Sequence, residues 1–166
     1  MNLIQLFEMQ KKLDEKIEKK HESISPNFSK KEITLQRTLA LMVEASEFIN
    51  EVQSFKYWKQ NKNISKTKVL EEFVDLLHFF ISLSYQNDVP HTLNPKINEY
   101  NDINLQFKEL FINISEILKQ PNKKNIQISF EIALGCFEML GYNYNELFEA
   151  YFFKNQKNYK RLYSNY

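Results

Sequence analysis

The segment TKVLEEFVDLLHFFISLSY, residues 67–85, constrains the fold more than any other. After Glu72 it is almost continuously apolar, so a helix built from it lacks a solvated face and must be covered on most sides. It is not a membrane span, because no window approaches the roughly 20 apolar residues needed to cross a bilayer. The cover must come from the rest of the chain or from a partner subunit.

The rest is helical in period almost throughout. NLIQLFEMQKKLDEKIEKK places Leu3, Leu6, Met9, Leu13 and Ile17 at spacings of three and four, one stripe of a helix, and the polar HESISPNFS ends it. Ser29 followed by Glu32 has the form of a capping box, predicting a second helix through Leu35, Leu39, Met42 and Phe48 to about Phe55. NKNIS breaks it, and the third helix runs from about Thr67 to Tyr85, ended by Asn87, Asp88 and Pro90. Amphipathic segments follow near Ile103–Leu118 and Ile126–Leu140, the latter stopped by Gly141. Asn143 to Glu146 signals a last helix, apolar at its start and basic and amide-rich at its end. There is no strand pattern, repeat or domain-splitting linker. We expect one all-α domain over residues 1–166, a bundle of about six helices.

Composition narrows the function classes. With 22 basic and 21 acidic residues there is no global field for nucleic acid or an anionic membrane, so an anionic partner must be met locally. Two glycines, Gly135 and Gly141, cannot supply the Gly-rich phosphate loops of P-loop or Rossmann proteins. A bound nucleotide would have to be held another way. The single cysteine, Cys136, reads as core filler; with no leader-like N-terminal segment, the expected location is the cytoplasm.

Charge then appears where an apolar face is expected. VEASEFINE, residues 43–51, carries Glu44, Glu47 and Glu51; at about 100° per residue Glu44 and Glu47 lie about 60° apart, with Glu51 nearly in line one turn on. Glu72 and Asp75 repeat the spacing on the third helix. A loop near residues 60–65 would let the two helices pack antiparallel and the two pairs face each other. Glutamates at this spacing are common on solvated faces, but Asp75 precedes LLHFFISL, and an unpaired buried carboxylate costs several kcal/mol. Four converging carboxylates need a cation between them, and hard oxygen donors favour Mg²⁺ or Mn²⁺ over zinc. A di-iron bundle would want two Glu-x-x-His motifs; only Asp75 to His78 approaches one, and His21 and His91 lie near segment ends. His78 reads as a core histidine.

The order VEASEFINEVQSFKYWK, then LEEFVDLLHF, resembles the dimeric all-α dUTPases, a family related to the MazG-like nucleoside triphosphate pyrophosphatases. The wider superfamily carries Glu-x-x-Glu followed at a distance by Glu-x-x-Asp, matched by Glu44, Glu47, Glu72 and Asp75. The aromatic-basic FKYWK, with Phe55, Lys56, Trp58 and Lys59, points to dUTPase, as do both ends of the chain. In MQKKLDEKI, Gln10 and Asp14 stand where the family's first helix approaches uracil and deoxyribose; in KNQKNYKR, Lys154, Asn158 and Arg161 stand where it holds the phosphates. The chain departs from the family at its tail, RLYSNY, with Leu162 and Asn165 where Gln and Gly-Tyr often follow the arginine.

The resemblance implies a four-helix catalytic core and hydrolysis of dUTP, or of dUDP, to dUMP. Glu44, Glu47, Glu72 and Asp75 would hold two or more Mg²⁺, with Glu47, or Glu44, acting on the attacking water. Lys59, Lys154 and Arg161 would neutralise phosphate charge; Trp58 and Gln10 would line the base pocket. It also implies a homodimer. The competing expectations are a MazG-like pyrophosphatase for another nucleotide and a non-catalytic helical interaction protein.

Overall fold

The computed structural model describes residues 1–24 and 28–164, the side chains of 21–24 excepted. Asn165 and the side chain of His21 therefore lie outside the described residues. Among the described residues six helices follow in order: α1 (Ile4–Ile24), α2 (Lys30–Val52), α3 (Lys66–Gln86), α4 (Ile103–Lys119), α5 (Lys123–Met139) and α6 (Tyr144–Tyr163). Among the described residues the only extended pairing is an isolated bridge between Asn2 and Thr92.

Local chemistry accounts for most helix ends. Ser29 accepts from the Glu32 amide while the Glu32 carboxylate accepts from the Ser29 amide at 2.8 Å; Asn143 and Glu146 do the same for α6. Such caps stabilise a helix by ~1 kcal/mol each. Two boundaries differ from the sequence expectation. α2 stops at Val52 rather than near Phe55, because Gln53 turns left-handed at φ 57° with its amide on the Ile49 carbonyl. α5 begins at Lys123 rather than Ile126, because the Asn122 side chain caps it through the Asn125 amide at 2.9 Å.

As its apolarity requires, α3 lies at the centre and packs against α1, α2, α5 and α6. Phe73 stacks on Phe137 at 4.7 Å and leans on Phe48 at 5.1 Å; Phe80 stacks on Phe130 at 4.9 Å. Each buried phenyl contributes ~1.5–3 kcal/mol relative to exposure. Cys136 is fully buried, and burial pushes its thiol pKa up, away from nucleophilic use. On the far side the segment before α4 lies so close to α5 that a Cβ on Gly135 would come 1.9 Å from the Lys96 carbonyl oxygen. That approach admits only glycine.

α2 corrects one expectation. Its Leu35 and Leu39, counted with the apolar run, are 50% and 48% exposed, and Val43 is 54% exposed. The helix buries Thr38, Leu41, Ala45, Phe48, Ile49 and Val52 instead, so it is rotated to turn Arg37 and Glu44 toward a cleft between α1, α2, α3 and α6.

Candidate active site

The cleft has a volume of about 960 Å³ and is lined by Gln10 and Asp14 from α1, Arg37 and Glu44 from α2, Asp75, His78, Ser82 and Tyr85 from α3, and Asn158 and Arg161 from α6. α3 can supply four polar groups to one line because their spacings of three, four and three follow the helix repeat. Leu13, Ile17, Phe28, Ile33 and Phe79 give it apolar walls.

At one end of the cleft α2 and α3 bring Glu44, Glu72 and Asp75 together, with one oxygen of each within 4.8 Å of the others. Crowding and burial make these carboxyls hold protons unusually well. Glu44 has a pKa raised to about 7, first by burial and then by the charges of Asp75, Glu47 and Glu72. Glu72 is raised by burial, Asp75 and Glu47; Asp75 is raised by burial against the opposing bond from Lys154. Three hard, mutually repelling oxygen donors on two rigid helices suit a divalent cation, which would remove both the repulsion and the protons.

Glu47 is exposed and stands outside this trio, although close enough for its charge to act on Glu44 and Glu72. Glu51, one turn on, is partly buried and also outside. Lys154 reaches in from α6, donating to Asp75 at 2.5 Å and Glu71 at 3.1 Å. Burial opposes its charge, but the two carboxylates outweigh that and raise its pKa above the ordinary lysine value. They in turn see its ammonium, which lowers the Glu71 pKa.

The floor of the cleft is a buried polar network. The Gln10 amide donates to Asp14 at 2.8 Å and to Ser82 at 3.1 Å, and its oxygen accepts from the Tyr151 hydroxyl at 2.5 Å. Because both amide hydrogens go to those acceptors, the oxygen faces His78 Nδ1 at 2.5 Å, and Nδ1 must carry the imidazole proton. His78 is buried and stacked on Tyr151 at 4.3 Å, and burial lowers its pKa to about 3, so it is neutral. Its Nε2 has no hydrogen-bond partner among the described residues. Asp14 also accepts from Ser82 and from Tyr85 at 2.8 Å and lies 3.8 Å from Arg37; burial still raises its pKa.

Gln10, Asp14, Glu44, Asp75, Asn158 and Arg161 thus share one cleft, with Glu72 in the adjoining trio and Lys154 on Asp75. Three other residues expected at the site, Glu47, Trp58 and Lys59, neither line the cleft nor belong to the trio. Trp58 is 61% exposed, edge-on to Tyr57 at 5.2 Å and Phe55 at 5.9 Å, and Lys59 donates to Gln53 at 3.1 Å. Both follow the left-handed turn at Gln53 that ends α2. The sequence reading also passed over Arg37, Glu71, Ser82, Tyr85 and Tyr151. Periodicity held the signal for three of them, since Arg37 is two turns before Glu44, Glu71 one turn before Asp75, and Ser82 two turns after it.

Along the sequence, a family model described as dUTPase matches residues 2–166. Comparison with curated proteins finds no match.

Proposed function

This chain belongs to the dUTPase family, enzymes that hydrolyse dUTP, and from that premise we propose that its cleft converts dUTP and water to dUMP and pyrophosphate, with dUDP as a second substrate yielding dUMP and phosphate. The observation that carries this reading is the placement of the Glu44, Glu72 and Asp75 trio at the end of a cleft whose other wall bears Asn158 and Arg161.

Glu44, Glu72 and Asp75, joined by Glu47, would hold Mg²⁺, or Mn²⁺ in its place. The bound metal supplies charge neutralisation of phosphate oxygens and a lowered pKa for a coordinated water. Glu47, exposed beside the trio, would orient or deprotonate the attacking water. Arg161 and Lys154 offset negative charge on the phosphate chain, and Asn158 donates to its oxygens. At the floor, Asp14 and Gln10 hold the nucleoside end. Gln10 already spends both amide hydrogens and its oxygen inside the protein, so its contribution to base selection is to fix Asp14, Ser82 and His78 in place.

The working form is a homodimer in the cytoplasm. The surface of α3 is covered within the chain, so the dimer would use the exposed Leu35, Leu39 and Val43, spaced by four along α2. Trp58 and Lys59 would then serve the site through closure of their loop or across the dimer. In the cell the reaction keeps uracil out of DNA and provides dUMP for thymidylate synthesis. The test is a pyrophosphate-release assay over the common deoxynucleoside triphosphates with and without Mg²⁺. Turnover of dUTP that depends on Mg²⁺ is expected; activity on another nucleotide with none on dUTP would assign the chain a different substrate.

A further inference from the structure

Lys154 and a divalent cation draw on the same carboxylate. The Lys154 side chain is only 11% exposed, and its ammonium donates to Asp75, the residue that also supplies an oxygen to the trio with Glu44 and Glu72. A lysine ammonium is a compact point charge, and placing it beside a doubly charged ion on one carboxylate sets two cations against each other in a partly buried site. Glu71 offers a second partner. It lies one turn before Asp75, stands outside the trio, and receives Lys154 at 3.1 Å and Lys157 at 3.4 Å.

Resting on the metal reading above, we propose that Lys154 is a place-holding cation for the site. It neutralises Asp75 until metal and nucleotide arrive and then shifts from Asp75 toward the phosphates. Glu71 is the positioning residue that keeps its ammonium at hand during the exchange. Metal alone must compete with Lys154, whereas a metal–triphosphate complex brings phosphate oxygens that draw the ammonium away, so metal and nucleotide strengthen each other's binding.

The test is Mn²⁺ binding to the metal-stripped full chain without nucleotide, followed by the electron paramagnetic resonance signal of free Mn²⁺. Lys154→Met is expected to tighten binding about tenfold, since it removes a unit charge at the carboxylate itself. Lys157→Met removes the same charge from a position bonded to Glu71 alone, and is expected to change binding less than about twofold. Glu71→Gln is expected to weaken binding by leaving Lys154 wholly on Asp75, and to lose most of that effect when combined with Lys154→Met. Lys154→Gln gives the same reading should the methionine variant fail to fold.

Binding unchanged or weakened in Lys154→Met, an equal gain in Lys157→Met, or a Glu71→Gln effect of the same size in both backgrounds would each overturn the proposal. Absence of Mn²⁺ binding in every variant would overturn it together with the metal reading. The expected pattern in a protein that does not hydrolyse dUTP would support the place-holder and refute only the substrate.

Discussion

The Gln10 oxygen accepts from Tyr151 and His78 at the same distance, 2.5 Å, joining α1, α3 and α6 at one buried atom. Removing the amide leaves a phenol, an imidazole N–H and the Asp14 carboxylate each short of a bond in a buried site. Gln10→Leu is therefore expected to destabilise the fold by about 2–4 kcal/mol, measured as a shift of the urea midpoint at constant slope. A loss under ~0.5 kcal/mol would show that the network is not closed in solution.

His78 makes the fold sensitive to acid. Its folded pKa, about 3, lies below the ordinary 6.5, so between those values the unfolded chain binds the extra proton. Its contribution to stability is complete above about pH 6.5 and is lost as pH falls toward 3. The slope approaches about 1.4 kcal/mol per pH unit. In His78→Gln, which retains a donor for Gln10, urea midpoints measured from pH 7 to pH 4 should fall less steeply than in the parent. Parallel profiles would assign the acid sensitivity to another group.

Asp75 and Glu47 should separate in their effects. Asp75→Asn removes a member of the trio and half of the Lys154 ion pair, and is expected to lower turnover at least about a hundredfold, beyond the loss typical of an outer-shell partner. Glu47→Gln changes an exposed side chain; turnover should fall while thermal stability without metal stays within about 0.5 kcal/mol. Full turnover in Glu47→Gln would remove that residue from the proposed water-activating role.

The exposed α2 stripe sets the assembly test. Leu39→Glu puts a charge at its centre and is expected to convert a dimer to a monomer in sedimentation equilibrium without altering the helical circular dichroism. A variant that remains dimeric would move the interface elsewhere.

The helices and most of their ends were readable from the sequence because their causes are local. A capping box acts over three residues, as at Ser29–Glu32 and Asn143–Glu146, and the apolar run after Glu72 allows only a central helix. The three-residue spacing of the carboxylates, with the family pattern it matches, was legible for the same reason. It led to four converging carboxylates, of which Glu44, Glu72 and Asp75 bring oxygens within 4.8 Å of one another and Glu47 does not.

Tertiary structure made that choice through helix rotation. α2 buries the side holding Leu41, Ala45 and Phe48, which leaves Leu39 outside, turns Glu44 into the trio and keeps Glu47 exposed at its edge. α6 docks so that Lys154 meets Asp75 and Glu71, and Tyr151 reaches Gln10, contacts spanning 79, 83 and 141 residues. What the sequence determined by itself is which segments are helical and which residues could carry the chemistry, because propensity, capping and periodicity act within a few residues. Which of those residues meet, and which are already engaged by one another, was decided by packing, because it depends on how each helix turns to bury its broadest apolar face.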